Sequence, residues 1–310
     1  MNNVILVTGG SGFIGTWVLR ELLARDLSPV VFDVAENRER WRRILGADVS
    51  RVMFAQGSLL DRERLHQACD EHRVTHFIHL AALLTPACQR DPWAGCEVNV
   101  LGGIALFEEA RRLAGQIRGF SYASSLGIFG PEPDDVSTYA PSLGNQPPNF
   151  YGAFKKAFEM IAEQYWRHYG IASIGVRPHV VYGPDRDQGL TAGPSLAARA
   201  TAYGEPFTIN YTGKAGYDYV EDVAKAFVRT VLETPRGANI VDLPSELATV
   251  EEIVAAIKMV VPNATLRIDG PPIPSNVPPR LRLIATLFPD WQATSLREGM
   301  RKTIDFYRSR

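Results

Sequence analysis

The stretch VTGGSGFIG, residues 7–15, limits what this chain can fold into more than any other. The apolar run VILV (4–7) leads into it, and TWVLRELLAR (16–25) leaves it with helical spacing. Gly9, Gly12 and Gly15 stand three apart at this junction. In a strand–turn–helix unit each has its own task. Gly9 permits the tight turn, Gly12 lets a pyrophosphate approach the backbone, and Gly15 lets the helix pack close to the strand. The opening helix then offers free N–H groups and a partial positive charge to phosphate.

The alternation continues. PVVFDV (29–34), RVMFAQGSL (51–59), THFIHLAA (75–82), GFSYASS (119–125) and ASIGVRPHVVYGP (172–184) read as strands. Helices are expected at 61–72, at 98–114 and from Asn149 onward. Strands written as continuous apolar runs between helices predict an α/β fold, a Rossmann-type doubly wound parallel sheet covered on both faces. After residue 184 glycines and prolines multiply. DGPPIPSNVPPR (269–280) reads as loop, while YVEDVAKAFVRTVLE (219–233) reads as a helix that returns to the main sheet. The expected division is a dinucleotide-binding domain of 1–178 and 216–242, with a smaller, irregular C-terminal substrate lobe of 179–215 and 243–310.

The net charge of −1 points to neither nucleic acid nor an anionic membrane as a partner. Three scattered cysteines supply neither a disulfide framework nor a metal site. No apolar run nears the ~18 residues of a membrane span. The amino terminus runs straight into a strand, so it reads as fold and not as a signal peptide. A reducing, cytoplasmic home fits these features.

Asp33 ends the second strand, where a carboxylate accepts hydrogen bonds from both ribose hydroxyls of NAD and repels the 2′-phosphate of NADP. Arg38 and Arg40 follow soon enough to leave NADP open, with NAD favoured. In NFYGAFKKAFEMIAEQYW (149–166), Tyr151 and Lys155 share one face of an otherwise largely apolar helix. A phenol beside an ammonium on that face is either a snorkelling pair or a functional one.

Seven motifs, in order, decide the matter. TGGSGFIG (8–15), GSLLD (57–61), HLAA (79–82), NV with Gly102 (99–102), SSLGIFG (124–130), Tyr151 with Lys155, and RPHVVYGP (177–184) resemble those of the extended short-chain dehydrogenase/reductases, the NAD-dependent epimerase/dehydratase group. The resemblance implies Tyr151 as general acid/base, Lys155 as its tuner and a ligand of the nicotinamide ribose, and Ser125 as a donor to the same substrate oxygen, although Ser124 is adjacent. It implies cofactor contacts at Gly9, Gly12, Phe13, Ile14, Gly15, Asp33, Ser58, Leu59, Leu80, Ala81, Ala82, Asn99, Tyr151, Lys155 and Pro178. A free phenol has a pKa of ~10, and a nearby lysine and the positive nicotinamide favour its phenolate. The resemblance further implies a homodimer paired through the 98–114 and 150–169 helices.

Three departures from the family pattern stand out, the first at the cofactor and the other two at the substrate. Ser58 replaces the Asp that in relatives holds the adenine amino group. Ala215 stands where relatives that act on nucleotide sugars carry a diphosphate-binding Arg, and Val180 where many carry an Asn. Each lost charge-assisted contact would weaken diphosphate binding by ~1.5–3 kcal/mol. The expected reaction is hydride transfer at a secondary alcohol or ketone of a sugar-like, polyhydroxylated small molecule, with a dehydrogenase or reductase favoured. His179 and Arg186 are the candidate substrate contacts beside Ser125 and Tyr151. The rivals are a nucleotide-sugar epimerase that retains NAD tightly and, remotely, a non-catalytic NAD(H)-sensing protein.

Overall fold

The computed structural model describes residues 3–130, 147–273 and 282–310. The 269–280 loop expectation thus lies partly outside the described residues. The first half runs β1 (Val4–Thr8), α1 (Phe13–Ala24), β2 (Ser28–Asp33), α2 (Arg38–Leu45), β3 (Met53–Gln56), α3 (Arg62–Glu71), β4 (His76–His79), α4 (Thr85–Arg90), α5 (Pro92–Cys96), α6 (Gly102–Arg112), β5 (Gly119–Ala123), α7 (Phe150–Tyr169) and β6 (Ser173–Arg177). The second half runs β7 (Val180–Tyr182), α8 (Gly193–Ala202), β8 (Phe207–Ile209), β9 (Lys214–Tyr219), α9 (Val220–Leu232), β10 (Ala238–Asp242), β11 (Glu246–Thr249), α10 (Val250–Val260), β12 (Leu266–Ile268) and α11 (Leu296–Arg308).

Seven strands form one parallel sheet in the order β10-β6-β5-β4-β1-β2-β3. Strand order reverses between β1 and β4, and that crevice, outside the carboxyl ends, is where a doubly wound fold binds its ligand. Ile5, Leu6, Val7, Val30 and Val31 are fully buried, so the continuous apolar runs reflect helices on both faces. One core joins α1 and α9 to the sheet and extends into the small lobe; the other joins α3, α6 and α7.

Local signals place the helix ends. Asp61 caps α3 by accepting from Arg64 N at 3.0 Å. Asn149 caps α7 by accepting from Gly152 N at 2.9 Å, and Gly170 closes it with φ +69°. Thr249 and Glu252 form a capping box on α10.

The run 172–184, expected as one strand, is two. Proline cannot extend a central strand's ladder, and the chain breaks at Pro178. β6 stays in the main sheet, while β7 enters a three-stranded sheet ordered β11-β9-β7. The expected boundary at 216 therefore falls inside β9, a strand of that smaller sheet, while α9 packs on the main sheet and β10 extends its edge.

Candidate active site

At the crevice Gly9 has φ +72°, and a Cβ there would lie 2.7 Å from Ala81 N. A Cβ on Gly15 would lie 2.2 Å from the Gly9 carbonyl oxygen. Both positions therefore require glycine. Gly12 caps α1 without a side chain, and no acidic residue occupies the first turn, which leaves the helix's first N–H groups for an anion. A cavity of about 570 Å³ opens here, walled by Gly9, Gly12, Asp33, Ser58, Leu59 and Leu80–Ala82. Phe13 and Ile14 begin α1 and pack partly against the core outside this wall, as Pro178 also lies outside it.

Asp33 accepts from Ser11 N (3.1 Å) and Val34 N (2.8 Å), which aims its carboxylate along the cavity rim. Burial pushes its carboxyl above the ordinary value, against those hydrogen bonds. Unused lone pairs remain for two ribose hydroxyls. The two arginines that left NADP open are committed elsewhere. Arg38 pairs with Glu36 at 2.8 Å, and Arg40 reaches Asp185 and Asp187, each at 2.8 Å. Glu36 also lines the rim, where its charge is offset by Arg38, so Asp33 is the carboxylate that opposes a 2′-phosphate.

Ser58 turns its hydroxyl to Leu60 N at 3.2 Å, closing a local turn. Leu59 is buried against α6. Asn99 is buried in a π-helical turn (97–101) and clamps Leu83 from both sides, accepting its N–H at 2.7 Å and donating to its carbonyl at 2.9 Å. It fixes the backbone that continues the cavity wall from Ala82.

Beyond the carboxyl end of β5, Ser125 and Tyr151 meet. The Ser125 hydroxyl stands beside the phenol, a Cβ on Gly127 lying 3.2 Å from Ser125 Oγ and 4.0 Å from the Tyr151 ring, and it accepts from Gly127 N at 3.0 Å. Ser124 points the other way, donating to Glu159 Oε1 at 2.5 Å inside a buried network. Arg177 grips that glutamate with two bonds of 2.6 and 2.7 Å and reaches Asp242 at 3.4 Å. The chain gave no local sign of this network because its members come from three distant elements.

Lys155 is buried, and its ammonium lies 5.7 Å from the centre of the Tyr151 ring while donating to the Ala123 carbonyl at 2.6 Å. Burial pushes Lys155 down to about 8, opposed by the nearby Cys88 and Glu159. Burial also pushes Tyr151 up to about 12, opposed by the neighbouring Ser125 hydroxyl. Desolvation dominates both groups in the protein alone, and the expected lowering of the phenol calls on the positive nicotinamide ring as well as Lys155. The resting site is a neutral phenol, poised to donate a proton.

His179 and Arg186 stand on the small sheet. The His179 N–H donates to Asp218 at 2.7 Å, and its Nδ1 accepts from Gly216 N at 2.9 Å, so the remaining ring proton sits on Nε2. Burial holds this imidazole at about 4, hence neutral, and pushes Asp218 up to about 6. His179 thereby ties β7 to β9. Arg186 donates to the Val181 carbonyl and to Thr191 Oγ1 (2.8 Å). Val180 and Ala215 are buried members of this small sheet.

A glycine cradle at the switch point, an acidic rim and a Ser–Tyr–Lys cluster beyond β5 define a Rossmann-fold enzyme site built for a dinucleotide. The chain belongs to the NAD-dependent epimerase/dehydratase family, whose model matches residues 5–241. It is 29% identical over 279 residues to UDP-glucose 4-epimerase of Rhizobium meliloti, covering 84% of this chain and 82% of that protein. It is 26% identical over 308 residues to an uncharacterized epimerase/dehydratase of Staphylococcus aureus, covering 95% and 89%. Among solved structures it is similar to Thermus thermophilus UDP-glucose 4-epimerase in complex with NAD, with a TM-score of 0.81 and 28% identity over 98% of this chain and 99% of that one.

Proposed function

We propose that this protein is an NAD-dependent oxidoreductase that moves hydride at a secondary alcohol or ketone of a sugar-like substrate, with release of the oxidised or reduced product. The observation that carries this reading is the clustering of the Ser125 hydroxyl, the Tyr151 phenol and the Lys155 ammonium beyond the carboxyl end of β5. Bound NAD supplies the hydride acceptor and a positive nicotinamide ring. Gly9, Gly12 and the first N–H groups of α1 hold its pyrophosphate, and Asp33 its ribose. Ser125 orients the substrate oxygen by a hydrogen bond. Tyr151 gives that oxygen a proton during reduction and takes one during oxidation. Lys155, held by the Ala123 carbonyl, keeps a cation beside the phenol and offers N–H donors to the nicotinamide ribose.

The second reading, a nucleotide-sugar epimerase, is favoured by the names of the relatives and of the similar structures. The apolar Val180 and Ala215 weigh against it, since neither can grip a diphosphate. We also read the 98–114 and 150–169 helices as the contact of a homodimer. Leu101, Phe150 and Met160 within them are exposed.

A substrate screen tests the reaction. Free sugars, sugar acids, polyols and UDP- or dTDP-sugars are mixed with the protein and NAD, and absorbance at 340 nm is followed. Net NADH formation with an unactivated compound is the expected result. Silence at 340 nm, with a nucleotide sugar isomerised by NMR, would replace this reading with the epimerase.

A further inference from the structure

We propose that Arg186 is the anion anchor of the substrate site, and that the substrate carries a single carboxylate at the end remote from its reacting carbon. This rests on the reading of the Tyr151 site as one that transfers hydride to a sugar-like molecule.

Arg186 follows β7, and its guanidinium folds back along that strand onto the Val181 carbonyl and Thr191. A guanidinium has five N–H groups. Two are used, and the other three have no partner among the described residues. The acids on either side of it in the chain are taken by α2. Asp185 binds Arg40 and Arg43, each at 2.8 Å, and Asp187 binds Arg40 at 2.8 Å. No other described carboxylate pairs with Arg186. Around it stand Tyr211 and Tyr217, each 3% exposed, whose hydroxyls approach each other without the alignment of a hydrogen bond and lack another described partner. Burial of the guanidinium pushes Arg186 down to about 10. A desolvated cation among underused donors is complementary to an anion.

The position suits a substrate. Val181 lies three residues beyond Pro178, whose carbonyl accepts from Leu126 N, the neighbour of Ser125, at 3.1 Å. Three residues of chain span at most about 10 Å. Hydrogen bonds of about 2.8 Å at each end leave room for a few carbon–carbon bonds. Tyr217 faces Val180 across the small sheet, and Ala215, two residues along β9, shares the face of Tyr217. Arg186 therefore serves the face from which Ala215 projects no charge. One half-buried cation matches a carboxylate better than a diphosphate, whose two charges call for more.

The test compares matched pairs, an aldonic or uronic acid against its carboxamide or the corresponding neutral sugar, with wild-type protein and with Arg186→Gln and Arg186→Lys. Turnover is read at 340 nm and binding by the thermal shift each compound produces. We expect wild type to favour the acid by at least about 100-fold in kcat/KM, mainly through KM. The ratio should fall near one in Arg186→Gln and recover in part in Arg186→Lys, with NADH affinity unchanged. A wild-type preference for the neutral partner would overturn the proposal, as would an unchanged ratio in Arg186→Gln. The wild-type pairs decide even if a variant fails to fold. An acid-specific thermal shift without any NADH would uphold the anchor while sinking the oxidoreductase reading. A shift from UDP- or dTDP-sugars alone would overturn the anchor in favour of a diphosphate.

Discussion

One buried cation and one half-buried cation divide this molecule between them. Lys155 lies below the carboxyl end of the main sheet, and Arg186 lies just past β7 of the small one. Each donates to a backbone carbonyl, and burial depresses each. They differ in what surrounds them. Lys155 has Glu159 within electrostatic reach, a phenol one turn away and a cofactor cradle beside it. Arg186 has tyrosines and no described acid. The first environment serves chemistry common to a family; the second leaves room for one substrate. In the reading proposed above, the groups assigned to the reaction stand on or beside the long helix α7, and Arg186, assigned to the substrate, follows the short strand β7.

The largest effect expected from this contrast is in Lys155→Met. Turnover should fall by about 100- to 10,000-fold, the usual range for loss of acid–base support. Stability should rise by ~2–3 kcal/mol, because a pKa held near 8 means the folded state resists the charge it carries at neutrality. A Tm measurement beside the kinetic assay checks both halves. A fall in Tm would show that the bond to Ala123 outweighs the burial of charge.

Asp33→Asn should come next. Losing a charge-assisted pair of ribose contacts should weaken NAD by about 10- to 100-fold and narrow its advantage over NADP. Titration of NADH fluorescence gives the numbers. Equal loss for both cofactors would mean that Asp33 holds the Ser11 turn and not the ribose.

Stability, as distinct from cofactor affinity, is expected to vary with pH. His76 and His79 are buried and held at about 4 and about 3. Their folded pKa values lie below the unfolded 6.5, so the unfolded chain binds the extra protons. Stability is complete above pH 6.5 and should fall by about 2–3 kcal/mol per pH unit below it as the two titrate together. Lys155 acts at the other end. Its folded value also lies below the unfolded 10.5, so stability should rise as pH climbs from about 8 toward 10.5, and Lys155→Met should lack that rise. Denaturant midpoints across pH 4.5–10 test both windows.

The smallest effect on the site concerns the shared helical face. Met160→Glu should shift a dimer toward monomer in light scattering while sparing NADH binding. Monomeric wild-type protein would remove the dimer reading.

The same division explains what the sequence disclosed. The turn from β1 to α1 was legible because its glycines, its apolar strand and its helix are contiguous. Tyr151 and Lys155 were legible because they share one helix. Ser125 could not be told from Ser124 by spacing, since the answer lies in Glu159, 35 residues away, to which Ser124 is bound. The commitment of Arg40 was hidden because Asp185 lies 145 residues off. In the small lobe, β8 and β12 are three-residue strands that pair only with each other across some 60 residues, too short and too distant to show a period. The short helix α2 was missed because RERWRRIL presents few apolar residues beyond Trp41, Ile44 and Leu45.

The central claim is that Tyr151 handles the proton while the cradle holds the cofactor. Its most direct test is Tyr151→Phe, with NADH affinity and turnover measured on the same preparation. The account predicts NADH affinity within about twofold of wild type and a turnover loss of at least about 100-fold. Turnover that survives the loss of the phenol would contradict it.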